Sequence, residues 1–144
     1  MNRIIRKPFC ELTLTELFEI VRARFDVFVA EQHILEPEFD DIDLKSIHIF
    51  LPEGGKVIAY ARLFQADKPG EWVIGRMLTV RRGQGLGAAI IKAAVETVRE
   101  YGGTLIRLHA QLQASGFYAK QGFQECSDEF EEAGISHVEM MLRP

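Results

Sequence analysis

The 144-residue chain has only two cysteines, no long apolar run and no apolar leader. Cys10 and Cys126 form no C-x-x-C pair and adjoin no pattern of metal ligands, so we interpret them as ordinary thiols and expect no metal site. The longest apolar runs fall far short of the roughly 20 residues that a membrane span requires. The first seven residues, MNRIIRK, lack the apolar stretch of a signal peptide, and we therefore expect the protein to stay in the cytoplasm.

The length and composition are those of an ordinary folded domain. Hydrophobic residues make up 47% of the chain and charged residues 26%, which excludes a disordered or collagen-like protein. At this length a domain buries roughly two-thirds of its unfolded surface, enough for a core without disulfides or a structural metal. We expect a single domain over residues 1–144.

The net charge of −4 is unevenly distributed along the chain. Residues 31–43 and 125–132 contain no Lys or Arg and together hold more than half of the 21 acidic residues, whereas residues 72–95 contain no acid. Runs of one sign are usually solvated loops, but three separated runs also suit a protein with differently charged ligand sites. A pI near 5.6 disfavours nucleic-acid binding.

The first helix is predicted by a capping box, Thr13-Leu14-Thr15-Glu16, in which Thr13 and Glu16 cap each other's backbone N–H groups. Apolar residues then recur at helical spacing: Leu14, Leu17, Phe18, Val21, Phe25 and Phe28. This pattern predicts an amphipathic helix with these side chains on its buried face and with Arg22, Arg24 and Asp26 largely off it. The acidic segment around Pro37 interrupts regular structure.

The rest of the chain predicts an α/β fold with a mixed, mostly antiparallel sheet and helices on both faces. A short strand is expected within residues 3–9, and three antiparallel strands near residues 46–51, 57–64 and 72–80, with Gly54-Gly55 as a hairpin turn. A helix over 88–101 and a strand over 104–110 complete one βαβ unit, which predicts parallel neighbours. A short helix at 112–121 and strands at 123–126 and 137–142 follow.

A glycine-rich turn between a strand and a helix, Val80-Arg81-Arg82-Gly83-Gln84-Gly85-Leu86-Gly87-Ala88, predicts an anion site. The first N–H groups of a helix lack internal partners, and the helix dipole favours negative charge there. Glycines let the backbone approach a ligand, and Arg81 and Arg82 suit phosphate. The G-x-G-x-G spacing differs from the dinucleotide and P-loop patterns, although a tight turn without a ligand stays possible.

This turn resembles the acyl-CoA pyrophosphate loop of the GNAT superfamily of N-acyltransferases, whose pattern is Gln/Arg-x-x-Gly-x-Gly/Ala. The segment FYAKQGF at 117–123 is similar to the Tyr-x-x-x-Gly-Phe motif of the family's last helix, and the order of elements agrees over nearly the whole chain. The ElaA-like branch, whose substrate is poorly defined, is similar in further segments: 25–32, 40–43, His48, 75–77, 110–111 and 132–137. Ala133 departs from it, because many relatives carry an acid there.

The resemblance implies direct transfer of an acetyl group from acetyl-CoA to an amine, without a covalent enzyme intermediate. It implies Tyr118 as the general acid that protonates the leaving thiolate. It also implies coenzyme binding by the loop, by the backbone of the preceding strand and by this tyrosine: Leu78, Thr79, Val80, Arg82, Gly83, Gln84, Gly85, Leu86, Gly87, Ala88 and Tyr118. Without the resemblance, Tyr118 would be read as a core aromatic.

The acceptor side is less well defined by the sequence. An alkyl amine has a pKa of about 10.4, so a base or a water relay is needed; the candidates are Glu31, His48, Glu132 and His137, of which His48 and Glu31 are the main ones. Either could instead be structural: a satisfied strand histidine or a charge at a helix end. We expect Arg76 to pair with a carboxylate, because an unpaired charge among apolar strand residues is costly. The acceptor-binding candidates are Arg76, Gln111, Glu132 and His137.

Two other functions stay open at this stage. One is a non-catalytic acyl-CoA sensor, and the other is an acyl-homoserine-lactone synthase, which shares the fold and whose Arg-x-x-x-Phe pattern is weakly similar to Arg24–Phe28. The acceptor is expected to be a small molecule or peptide, with no nucleic-acid or membrane partner, and the protein to be a monomer or homodimer. The two acidic runs predict a cationic amine.

Overall fold

The computed structural model describes residues 3–144. Its strands are β1 (Ile5–Pro8), β2 (Ile47–Glu53), β3 (Lys56–Gln65), β4 (Glu71–Thr79), β5 (Leu105–Gln111), β6 (Gln124–Glu125), β7 (Phe130–Glu132) and β8 (Ile135–Leu142). Its α-helices are α1 (Leu14–Arg24), α2 (Ile42–Lys45), α3 (Leu86–Glu100) and α4 (Ser115–Lys120). A π-helical segment, Phe25–Glu31, prolongs α1, and 3₁₀ turns span Phe9–Glu11 and Leu112–Ala114. No helix of these residues is long and apolar enough to cross a membrane.

The strands form one sheet in the order β1-β2-β3-β4-β5-β8-β6, with β7 paired to β8. The β4–β5 pair is parallel and all other pairs are antiparallel, as the βαβ unit and the hairpins predicted. The mixed, mostly antiparallel fold is therefore confirmed. Two short elements, α2 and β7, were not expected from the sequence.

Helices cover both faces of the sheet. On one face, α3 contributes Ile90, Ala94 and Val98 to a core with alternate residues of the central strands, such as Ile49 and Ala61. On the other face, α1 and its π-helical extension pack Ile20, Ala23 and Phe28 onto Phe50, Tyr60 and Leu78. We call the second face the α1 side of the sheet. Because strand residues alternate between faces, β2 to β4 are covered on both.

A bulge interrupts β4 at Arg76. The β3–β4 register shifts between Tyr60 and Arg62, and Arg76 has a left-handed φ of 53°. The extra residue reverses the face of the sheet to which the later side chains point. Ile74 packs on the α3 side, whereas Leu78, four residues later, packs on the α1 side. The bulge therefore reorients the last part of β4, which leads to the glycine-rich turn.

The capping box of α1 is present, but the apolar stripe predicted for this helix is buried only in part. Thr13 accepts the N–H of Glu16, and the Glu16 side chain accepts the N–H of Thr13. The exposed side chains include Leu14, Phe18 (51% exposed) and Phe25, whereas Ile20, Ala23, Arg24 and Phe28 are buried. Spacing alone cannot choose between two stripes on one helix. The burial of Arg24 depends on carboxylates that arrive from another segment.

Candidate active site

The glycine-rich turn leads into α3 with a free N-terminus. Gly85 is the N-cap residue at a left-handed φ of 69°, no side chain caps the helix, and no acid lies in its first turn. Gly83 is also left-handed, with a φ of 74°. The Ala89 N–H donates to the Gly85 carbonyl and so forms the first hydrogen bond of the helix. The amides of residues 86–88, which precede it, are therefore available to an anion.

The two arginines of the turn differ in their partners. Arg81 forms an ion pair with Glu53 at the end of β2. Arg82 is exposed and forms no salt bridge within residues 3–144. Of the two, Arg82 is therefore the side chain free to meet a phosphate, and its role in binding the coenzyme stays a prediction.

The structure brings the two sequence motifs together at Gly87. A Cβ placed on Gly87 would lie 3.0 Å from the Phe117 ring of α4 and 3.2 Å from the methyl group of Met77, beside the β4 bulge. The Phe117 and Tyr118 rings lie 5.0 Å apart, edge to face. The glycine thus allows α4, which carries Tyr118, to pack tightly against the start of α3.

Tyr118 is buried on α4. Burial is the cause that raises the pKa of its phenol to about 12. At neutral pH the group is therefore a protonated donor. This is the protonation state that a residue delivering a proton to a thiolate must have.

Strands β4 and β5 separate beside the turn. Only three residues of each strand pair, Glu71–Val73 of β4 with Leu105–Arg107 of β5, and the strands then diverge. The Val80 N–H donates to the Ile58 carbonyl on β3, so alternate backbone groups, those of Met77 and Thr79, point to the open side of β4. The backbones of Leu78, Thr79 and Val80 were all expected to contact the coenzyme. Of these three, only Thr79 has backbone groups that point to the open edge.

A buried network of ion pairs holds the acidic segment against the α1 side of the sheet. Arg24, 2% exposed, bonds to Glu38 at 2.7 Å and to Asp43 at 2.6 Å. Arg62 bonds to Asp40 at 2.6 Å and to Asp43 at 3.1 Å. The hydrogen bond from Arg24 lowers the pKa of Asp43 although burial opposes this. Three of the acids in residues 31–43 are thus counter-ions of buried arginines: Glu38 and Asp43, which are themselves buried, and the exposed Asp40.

Arg76 forms the predicted pairs with carboxylates of the acidic run. Its Nε lies 3.0 Å from Glu38 Oε2 and 3.2 Å from the Glu38 carbonyl, and a terminal nitrogen lies 3.7 Å from Asp40. The side chain thereby fastens the acidic segment to the bulge of β4. A role for Arg76 in binding an acceptor stays a prediction, and its side chain already has partners.

His48 is buried at 1% exposure, and both ring nitrogens are engaged. Nε2 lies 2.9 Å from the Asp43 carbonyl, which can only accept, so Nε2 carries the proton; Nδ1 accepts from the Tyr60 hydroxyl at 2.7 Å. Burial lowers the pKa of His48. The side chain is placed to support the ion-pair network, and a base role for it stays a prediction.

The other acceptor-side candidates lie around the free end of β5. Gln111 donates to the side chain of Gln32 at 3.0 Å, which joins β5 to the end of the π-helical segment next to the exposed Glu31. Gln111 pairs with His137 across β5 and β8. The structure therefore brings Gln111 and His137 together, whereas His48 lies within the network on β2 and β3.

Sequence reasoning missed a further histidine at this end of the sheet. His109 Nδ1 lies 2.8 Å from Glu132 Oε1, and His137 Nε2 lies 3.7 Å from Glu132 Oε2. The alternation of β5 places His109 on the same face as Gln111, which could have identified it.

Comparisons with known proteins agree with the fold. Residues 19–144 match the model of the acetyltransferase (GNAT) domain family. A UPF0039 protein of Schizosaccharomyces pombe is 38% identical over 143 residues, covering 96% of this chain and 95% of the relative.

Two crystal structures are closely similar along their whole length. An acyl-CoA N-acyltransferase from Pseudomonas aeruginosa has a TM-score of 0.89 and 31% identity, covering 98% of this chain and 99% of that one. Escherichia coli ElaA has a TM-score of 0.89 and 28% identity, with the same coverage, which confirms the predicted likeness to ElaA. With a matching family model over residues 19–144 and the expected sheet, the chain belongs to the GNAT family of acetyltransferases.

Proposed function

We propose that the protein is an N-acyltransferase that moves an acetyl group from acetyl-CoA directly to a primary amine of a small cationic molecule or peptide. The observation that carries the proposal is the uncapped N-terminus of α3 beside the separation of β4 and β5. The free amides of this turn and Arg82 would hold the pyrophosphate of the coenzyme. The open edge of β4 at Met77 and Thr79 would pair with its pantetheine arm.

Direct transfer requires that the carbonyl be polarised and the thiolate be stabilised. Backbone N–H groups beside the β4 bulge point toward the open side, where each well-aimed donor to the developing oxyanion would contribute roughly 3 kcal/mol. Tyr118 would give its proton to the sulfur as the C–S bond breaks. A phenol with a pKa of about 12 is a weak acid, but the burial that raises this pKa would also raise that of a thiol beside it.

The preference for a cationic acceptor rests on the second acidic run rather than on both. In residues 125–132 all five acids are exposed, whereas Glu38, Asp40 and Asp43 of the first run neutralise buried arginines. Exposed carboxylates near the β8 end of the sheet would raise the local concentration of ammonium groups. Added salt should therefore slow the reaction at low acceptor concentration.

The proposal is tested by mixing the protein with acetyl-CoA and a panel of primary amines, and by identifying acetylated products by mass spectrometry. Tyr118→Phe should lower kcat by about 10²-fold or more, the usual contribution of an acid–base group, and leave the Kd for acetyl-CoA nearly unchanged. Tyr101→Phe, which changes an exposed tyrosine at the far end of α3, is the matched control.

Three outcomes are informative. Loss of turnover in Tyr118→Phe alone supports the assignment, and equal turnover in both variants contradicts it. Binding of acetyl-CoA without acetylation of any amine contradicts transferase activity and favours a non-catalytic binding protein.

A further inference from the structure

The α1 side of the sheet carries a polar surface where β5 and β8 pair. Ile106, Leu108 and Ala110 of β5 pack into the α3-side core, so Arg107, His109 and Gln111 face the opposite side. Their partners on β8 are Met141, Glu139 and His137. The hydrogen bond between Gln111 and Gln32 shows that this surface borders the end of the π-helical segment.

Two imidazoles and two carboxylates meet on this surface, and we call them the His109 cluster: His109, His137, Glu132 and Glu139. Glu132 lies between the histidines, 2.8 Å from His109 Nδ1 and 3.7 Å from His137 Nε2. His109 Nε2 lies 3.6 Å from Glu139 Oε2. Phe130 packs against both rings, at 5.1 and 6.0 Å between centroids. The side chains of His109 and Glu132 are about half exposed, so a ligand can reach them.

The hydrogen bonds of the cluster fix where its protons are. His137 Nδ1 lies 2.7 Å from the Ile135 carbonyl and must donate, which leaves the lone pair of a neutral ring on Nε2. His109 Nδ1 likewise donates to the carboxylate of Glu132, so its lone pair is also on Nε2. Each of these Nε2 atoms then faces a carboxylate oxygen.

With both rings neutral, the cluster therefore lacks a hydrogen-bond donor between each Nε2 atom and the carboxylate that it faces. An imidazole lone pair and a carboxylate oxygen repel each other unless a proton or a donor group lies between them. The nearest cation, Arg107, is already bonded to the other oxygen of Glu139 at 2.6 Å and lies 3.7 Å from Glu71. The side chain of His137 is 8% exposed, yet its Nε2 has no hydrogen bond within residues 3–144. A primary ammonium, with three N–H donors, would satisfy these acceptors.

The cluster also lies at the opening where the acyl group would be placed. Glu71 of β4 pairs with Leu105 of β5. Extending this register by four residues places Gly75 of β4 opposite His109, in the region where the two strands no longer pair. The next residue of β4 is the bulge residue Arg76. His109 thus stands across the opening from the bulge, on the side away from α3.

Resting on the proposed function, we propose that His109 is the catalytic base, and that the acceptor is a primary alkylamine bound as its ammonium ion between Glu132 and Glu139. His109 Nε2 takes one proton from the ammonium, and Glu132 holds the ring through Nδ1. The freed lone pair of nitrogen forms the C–N bond to the acetyl carbon, and the C–S bond breaks with its electron pair left on sulfur. The sulfur receives its proton from Tyr118, the phenolate regains one from the nitrogen through water, and His109 releases its proton to solvent.

Kinetics with acetyl-CoA and n-butylamine, 1,4-diaminobutane and a lysine-containing tetrapeptide test the proposal. His109→Gln should lower kcat/KM for the amine by about 10²-fold and leave the Kd for acetyl-CoA unchanged. The loss should shrink as the pH approaches about 10, where the free amine forms without a base. Glu132→Gln should show a smaller loss, and His33→Gln, an exposed histidine outside the cluster, should show none.

A second measurement detects the ammonium directly. With ¹³Cε1-labelled histidine, 1,4-diaminobutane should shift the signals of His109 and His137 saturably and leave those of His33 and His48 in place, whereas 1-butanol should shift none. If the wild type acetylates these amines and His109→Gln does so equally well, the base assignment is overturned and the proposed function stands. If the wild type binds acetyl-CoA but acetylates no amine, both fail.

Discussion

At the scale of single residues, Ala133, where many relatives of the ElaA-like branch carry an acid, lies in a tight turn. Ala133 and Gly134 form the two-residue turn between β7 and β8, with φ values of 52° and 75°. Two left-handed residues are typical of a type I′ turn, which favours Asn-Gly or Asp-Gly. An acid at this position in relatives therefore suits the turn itself.

This geometry predicts that Ala133→Asn stabilises the protein. Asn adopts left-handed φ more easily than Ala, so the free energy of unfolding should rise by about 0.5–1 kcal/mol. At this chain length that is a gain of roughly 2–4 °C in Tm, measurable by calorimetry. Ala133→Val, which is worse in this conformation, should lower Tm, and an unchanged Tm in both variants would contradict the strain argument.

At the scale of elements, the contact between α3 and α4 joins the glycine-rich turn to the helix that carries the proposed acid. Gly87 and Gly116 are both helical glycines, but they have different surroundings. A Cβ on Gly87 would press against Phe117 and Met77, whereas a Cβ on Gly116 would meet nothing within 4 Å. Sequence motifs predicted both segments, but only packing shows that they touch.

The two glycines form a matched test of this contact. Gly116→Ala should raise the free energy of unfolding by about 0.5–1 kcal/mol, because Ala is the better helix former. Gly87→Ala should raise the free energy of unfolding by less than this, or lower it. It should also lower turnover, because α4 must shift and carry Tyr118 with it. Urea unfolding measures the change in stability, and kcat measures the change in turnover. Equal behaviour of the two variants would show that the close approach at Gly87 has no role.

Element α1 shows how spacing can mislead. The stripe that contains Phe18 and Phe25 has ideal helical periodicity and yet is half exposed, whereas Arg24 faces inward. An arginine becomes buried only where carboxylates reach it, and here Glu38 and Asp43 come from residues 14 and 19 positions further along the chain. No local pattern of helix residues contains that information.

At the scale of the whole molecule, the buried network makes stability depend on pH. Burial lowers the pKa of His48 in the folded protein below its ordinary value of about 6.5. Below that pH the unfolded chain binds a proton that the folded protein does not, so stability is present above it and is lost as the pH falls through this range. Asp43, whose pKa is also lowered, adds the same effect only at more acidic pH.

We expect the free energy of unfolding to fall between pH 7.5 and 5.5 with a slope of up to about 1.4 kcal/mol per pH unit from this one proton. Urea titrations followed by the fluorescence of the buried Trp72 measure it. His48→Gln should lower stability at pH 7.5 but flatten the slope, whereas His33→Gln should leave the slope as it is. A slope that persists in His48→Gln would assign it to other groups.

The sequence by itself determined most of the elements, the fold class and the position of the glycine-rich turn between β4 and α3, because each depends on short-range rules. A strand followed by a glycine-rich turn and a helix leaves free amides at the helix start, which favour an anion, and alternation and capping residues define strands and helix starts. The tertiary structure decided what depends on distant partners: the burial of Arg24, the engagement of both His48 nitrogens and the meeting of Gly87 with Phe117. The His109 cluster is of the same kind, because its members are assembled by the pairing of β5 with β8 and by the turn at Ala133. The burial, hydrogen bonds and protonation of charged groups and imidazoles depend on their neighbours, and only the folded chain specifies which neighbours those are.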